Sequence, residues 1–133
     1  MKYYFDTAIF IYALETKSEQ AKKLFQDALL DGSVGTSVVT VMEYCTGCIK
    51  NDVYASVEKF VDFLHDYDFE LHPVDEETAM IAARVRAKYP AFKQMDALQI
   101  ASAVAAKADV FYTNDKQLIQ FKHSITKVVR PDW

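Results

Sequence analysis

The strongest constraint on this chain is an alternation of short apolar segments with amphipathic ones, with no tight hairpin signal between them. Lys2–Phe5, Val34–Ser37, Phe69–Val74, Asp109–Tyr112 and Thr126–Val129 read as short strands. Ala21, Leu24, Phe25, Ala28 and Leu29 fall on one helical stripe closed by Asp31-Gly32, and Val53, Val57, Phe60, Val61 and Leu64 fall on another. Val38–Ile49, Glu76–Lys88, Met95–Lys107 and the short Lys116–Phe121 read as further helices. So does Thr7–Leu14, which is apolar on nearly all sides and is expected to be covered. Strands separated by helices are joined by crossovers, and crossovers make strands parallel. The expected fold class is therefore α/β, three layers with a mainly parallel central sheet buried on both faces. No linker, repeat or low-complexity tract is visible, so residues 1–133 are read as a single domain.

Composition narrows the function classes. The three glycines are dispersed, so neither a phosphate-binding loop nor a dinucleotide fingerprint is present. The longest apolar run, Ala8–Leu14, is far short of the ~20 residues that cross a bilayer, and the early Asp6 counts against a signal peptide. Two cysteines make no disulfide framework. A cytoplasmic protein without membrane attachment is expected. The net charge of −4 argues against a nucleic-acid coat protein. That charge is unevenly spread, however. Phe60–Ala83 holds seven acids and no Lys or Arg, which leaves the rest of the chain net basic.

In parallel α/β sheets, sites gather beyond the carboxyl ends of the strands. Asp6 directly follows the first strand, and Asp115 follows the strand Asp109–Tyr112. Glu43 lies about one turn into the helix after the second strand, and Asp96 in the first turn of its helix. Each also has a local explanation. Asp6 and Asp115 suit helix caps, Thr40-Val41-Met42-Glu43 fits a capping box, and Asp96 suits a helix dipole. Taken together on one rim, four carboxylates repel one another, and a divalent cation relieves that cost. Hard oxygen donors without His or Cys suit Mg2+ or Mn2+.

The residues resemble a known family. Tyr4-Phe5-Asp6-Thr7-Ala8-Ile9-Phe10-Ile11-Tyr12-Ala13-Leu14 is similar to the first motif of PIN-domain ribonucleases, and Thr36–Tyr44 to their second. Met95–Ala103 resembles the third motif and Val110–Asp115 the fourth, in order and over the whole chain. Ala8 departs from the small polar residue common at its position, and Leu118 from an aromatic. The resemblance implies a PIN-like α/β/α fold and an Mg2+- or Mn2+-dependent endoribonuclease. It implies Asp6, Glu43, Asp96 and Asp115 as catalytic, metal-binding positions. It also implies the toxin of a VapBC-type toxin–antitoxin pair: a homodimer that binds a cognate antitoxin and cleaves RNA.

The chemistry fits those residue types, because a bound divalent ion lowers the pKa of water and neutralises charge building on a phosphodiester. Asp6 and Asp96 are the expected direct ligands, with Glu43 and Asp115 binding a second ion or positioning water. The hydroxyls of Thr7 and Thr113 suit support of those ligands. Arg84, Arg86, Lys88 and Lys93 precede Asp96 without an intervening acid, and Lys116 follows Asp115. All five are candidate RNA-phosphate contacts. Tyr44, Tyr89 and Phe92 are candidate base-stacking residues, with core packing as the alternative. Ile9–Tyr12 with the Ala21–Leu29 stripe is a candidate antitoxin groove.

Cys45-Thr46-Gly47-Cys48 has redox spacing but falls late in a helix, where packing is the better reading. His65, His72 and His123 form no catalytic set. Two other readings are a catalytically silent PIN-like binding domain and a phospho-acceptor signalling domain. The latter needs an acceptor Asp ending a mid-chain strand, where Val53–Leu64 is helical by pattern.

Overall fold

The computed structural model describes residues 1–133. Five parallel strands form one sheet in the order β3-β2-β1-β4-β5. They are β1 (Lys2–Phe5), β2 (Ser33–Ser37), β3 (Glu70–His72), β4 (Val110–Tyr112) and β5 (Lys127–Val129). The helices are α1 (Thr7–Leu14), α2 (Glu19–Asp31), α3 (Val38–Lys50), α4 (Tyr54–Asp66), α5 (Glu76–Lys88) and α6 (Gln94–Ala105).

Adjacent residues of β1 point to opposite faces and found two different cores. Phe5 joins an aromatic core with Phe10, Phe25, Phe60 and Phe69, covered by α1 to α4. Tyr4 joins an alanine-rich core with Ala97, Ala101 and Ala103 of α6, Ala82 and Val85 of α5, and Phe111. The small side chains of α6 let α5 pack closely upon it. The sheet is thus covered on both faces, as its apolar strands require. Helix α1, expected to be covered, buries Thr7, Ile9, Phe10 and Ala13 but leaves Ile11 exposed on its outer side.

Two elements differ from the sequence expectation. Phe69–Val74 reads as a strand, yet only Glu70–His72 pairs, because this edge strand has one partner and meets it over Gly35–Ser37. Lys116–Phe121 reads as a short helix, but only Leu118–Gln120 forms a single 3-10 turn. No helix is long and apolar enough to cross a membrane.

The strand order reverses between β1 and β4. The chain leaves β1 toward β2 and β3 on one side, then returns to β4 and β5 on the other. Such a switch point opens a crevice beyond the strand ends. The Asp6 N–H donates to the Tyr112 carbonyl at 2.9 Å, so the two strand ends that carry Asp6 and Asp115 are joined directly there.

Candidate active site at the carboxyl rim of the sheet

Asp6 is the N-cap of α1, and its Oδ1 accepts from the Thr7 N–H at 2.8 Å. Its Oδ2 accepts from the Thr113 hydroxyl, also at 2.8 Å. The cap reading and the site reading of Asp6 therefore coincide. Thr113 is buried just past β4, and its hydroxyl also accepts the Asp115 N–H at 3.1 Å. One threonine thus ties the loop carrying Asp115 to Asp6. Asp115 itself is exposed and accepts from the Gln117 N–H at 2.9 Å, a turn cap.

Glu43 forms no capping box. Helix α3 begins at Val38 with Ser37 as N-cap, whose hydroxyl accepts from the Val39 N–H, so the capping-box position three residues on is Thr40 itself and Glu43 lies a turn too far along. The Glu43 carboxylate turns toward α1, where its Oε1 accepts from the Thr7 hydroxyl at 2.7 Å. The Gln99 amide of α6 reaches the same oxygen at 3.2 Å.

Gln99 belongs to a buried polar network that the sequence reading did not single out. Its Nε2 donates to the Thr40 hydroxyl at 2.8 Å, and the Thr7 hydroxyl lies 3.2 Å away. Thr40 and Thr36 share a hydrogen bond at 2.9 Å, and Thr36 donates to the Phe5 carbonyl at 2.8 Å. Each hydroxyl carries one proton. With the Thr36 proton on Phe5, the Thr40 proton serves Thr36, and the Thr7 proton serves Glu43. Gln99 Oε1 is left buried without a partner, a cost that buried networks tolerate mainly at functional sites. The available sequence signal was spacing. Gln99 lies three residues after Asp96, a polar group among the buried Ala97, Ile100 and Ala101.

Asp96 lies in the first turn of α6, where the helix dipole favours a negative charge. Burial raises its pKa, and the charges of Asp115 and Glu43 raise it further; nearby Lys93, the N-cap of α6, opposes them. Burial likewise raises Asp6, to about 6, against the lowering by its bonds to Thr113 and Thr7, and Asp96 and Glu43 add to the rise. The four carboxylates therefore feel one another, and none has a Lys or Arg ion-pair partner. They do not converge as a closed ligand set: nowhere do three or more Asp, Glu, His or Cys form a group placed to hold a metal ion. Their donor chemistry, all oxygen and mutually repelling, nevertheless fits a hard divalent cation.

The basic candidates separate into different places. Arg86 Nε donates to the Phe92 carbonyl at 3.3 Å and holds the α5–α6 loop. Arg84 and Lys88 line a second cavity with Tyr89, Phe121 and His123, which none of the four acids borders. Lys93 is the one basic residue that the electrostatics place beside a site acid, and Lys116 is exposed. Tyr44 and Phe92 are core residues, stacked on Phe60 and Tyr89 respectively. Both thiols are free, and burial pushes them up rather than toward the reactive thiolate.

Comparisons with known proteins agree with this geometry. No curated protein matches the chain at the sequence level. The chain is similar in structure to VapBC2 from Rickettsia felis bound to a promoter DNA fragment, with TM-score 0.84 and 17% identity over 99% of this chain and 100% of that one. It is also similar to a toxin–antitoxin complex from Klebsiella pneumoniae, with TM-score 0.71 and 25% identity over 95% and 94%. DNA-bound VapBC from Salmonella typhimurium matches with TM-score 0.77 and 18% identity over 98% of both chains. The family model for the PIN domain matches residues 3–123, a span that contains β1, the switch point and all four rim carboxylates. With five parallel strands in the order 3-2-1-4-5 and the acids at their carboxyl rim, the chain belongs to the PIN domain family.

Proposed function

We propose that this protein is a divalent-metal-dependent endoribonuclease acting in the cytoplasm as the toxin of a toxin–antitoxin pair, joined as a homodimer to a cognate antitoxin. Nuclease activity is the usual role of PIN domains, and the structurally similar chains come from toxin–antitoxin complexes. The observation that carries the reading is the coupling of Asp6, Glu43, Asp96 and Asp115. These four come from separate elements around the switch point: the Thr7 hydroxyl serves Glu43, Thr113 serves Asp6 and the Asp115 N–H, and the charges of Asp115 and Glu43 act on Asp96.

Asp6 and Asp96 would hold the ion, with Glu43 and Asp115 bordering it or positioning water. When bound, Mg2+ or Mn2+ supplies an activated water and charge neutralisation at the phosphate. The chain's own residues orient that chemistry. Thr113 and the Thr7 N–H fix both oxygens of Asp6, while the Thr7 hydroxyl and Gln99 hold Oε1 of Glu43. With Oε1 so held, Glu43 keeps Oε2 as an acceptor for water or ion. Lys93 places a positive charge beside Asp96, suited to an RNA phosphate.

The test is RNA cleavage by the pure protein in Mn2+, beside Asp6→Asn and Asp96→Asn. Each variant is expected to lose more than ~100-fold in rate, since loss of even a supporting residue at metal sites costs ~10–100-fold. Full activity in either variant removes that residue from the site. A wild type inactive with Mn2+ and free of its partner returns the domain to a binding-only role.

A further inference from the structure

Glu43 also borders a cavity of about 290 Å3 that none of the other three acids lines. Its walls are two helical stripes that run on from the acid motifs. Ile11 lies on α1, the helix that Asp6 caps, and Glu15 is the C-cap one turn further on. Gly47 and Asn51 continue from Glu43 along α3 and past its end, so that wall is about 12 Å long. The Tyr44 hydroxyl donates to Glu15 Oε1 at 2.6 Å across the floor.

Gly47 marks this space as a receptive one. It stands in the interior of α3 without a positive φ, and an added Cβ would meet nothing within 4 Å. The fold therefore does not require glycine there, and an interior glycine weakens a helix relative to alanine. What glycine does is keep the wall open one turn from Glu43.

Charge selects the occupant. Two carboxylates, Glu15 and Glu43, border the cavity, and no Lys, Arg or His does. A phosphate is repelled from such a space, whereas a group rich in N–H donors is attracted. Tyr44 takes one Glu15 oxygen and leaves the other as an acceptor. Ile11 and Val53, 39% and 45% exposed, offer apolar surface to the faces of a flat ring.

We propose that this cavity is a base-recognition pocket: it takes an unpaired, amino-bearing nucleobase of the RNA beside the phosphate held at the rim, and Glu15 accepts from the exocyclic amine. The proposal deepens, and in its RNA substrate rests on, the nuclease reading. Uracil is the poorest fit, because it presents a carbonyl oxygen where cytosine presents an amine.

The experiment titrates the full-length, isotopically labelled protein with adenosine, cytidine, guanosine and uridine, following backbone amide shifts by NMR. Nucleosides carry no phosphate and need no metal, so the readout is independent of cleavage. The Gly47 and Asn51 amides are expected to respond to the amino-bearing nucleosides, with uridine about tenfold weaker. Gly47→Leu, which suits a helix and fills the cavity, is expected to abolish these shifts while the remaining spectrum stays folded. Glu15→Gln is expected to erase the discrimination against uridine. Equal affinity for all four nucleosides, or unchanged binding by Gly47→Leu, overturns the proposal. So does binding of an arginine-bearing peptide in the cavity with no response to any nucleoside, which assigns the space to a protein partner. Selective binding by a wild type that cleaves no RNA in Mn2+ upholds the pocket and removes the nuclease reading alone.

Discussion

Asp6 and Glu43 stand on one side of the rim with their carboxylates fixed by buried hydroxyls, a backbone N–H and the Gln99 amide. Asp96 and Asp115 stand on the other, the first favoured by a helix start, the second capping an exposed turn. The first pair depends on long-range partners. Thr113 is 107 residues from Asp6, and Gln99 is 56 from Glu43. The second pair is placed by local backbone structure. The difference teaches that the site has a rigid wall, held by side chains distant in the chain, and an adaptable wall, placed by its own local backbone. Burial raises Asp6 to about 6 despite two good hydrogen bonds, and it raises Asp96 across the rim as well.

Removing Gln99 is the strongest way to break this contrast. Gln99→Leu takes donors from Thr40 and Glu43 at once, and is expected to weaken Mn2+ binding ~10–100-fold by calorimetry, as loss of a supporting residue at metal sites does. It is also expected to lower stability by about 1–3 kcal/mol, because the partner atoms stay buried. Unchanged Mn2+ affinity would mean that Glu43 does not need its core support.

A smaller effect is expected from pH in the metal-free protein. Between 3.8 and about 6 the folded state holds a proton on Asp6 that the unfolded chain has released. The Asp6 contribution to stability is therefore full below that window and lost as pH rises through it. Urea denaturation of wild type against Asp6→Asn should show a wild-type loss on the order of 2 kcal/mol across the window, which the variant lacks. The same wild-type slope in Asp6→Asn would assign it to another group.

The smallest effect belongs to the adaptable wall. Asp115→Ala removes one turn cap and is expected to cost about 1 kcal/mol in thermal denaturation. A loss several times larger would place Asp115 with the rigid wall after all.

Much of the fold was legible because its signals are local. The apolar run Lys2–Phe5 announced β1, stripes such as Val57, Phe60 and Leu64 announced α4, and Asp31-Gly32 marked the end of α2. Edges were less legible. The apolar run Phe69–Val74 exceeds the three residues of β3 because pairing length depends on the neighbour. The positions of the four acids followed from the rule about strand ends. Their supports did not, apart from Thr7 and Thr113. Thr40 looked like the start of a capping box, and Gln99 had no visible partner, because its contacts are with Thr7, Thr40 and Glu43.

By itself, the sequence determined the parallel α/β class and four carboxylates just past strand ends or within the early turns of helices, since periodicity and chain order act through neighbouring residues. Only the tertiary structure decided that β1 and β4 are adjacent at a reversal of strand order. It alone decided that Glu43 turns inward to Thr7 and Gln99, and that Gly47 opens a cavity beside them. Those facts depend on residues distant in the chain meeting in space, and the cost of burying polar groups is met or left unmet only there.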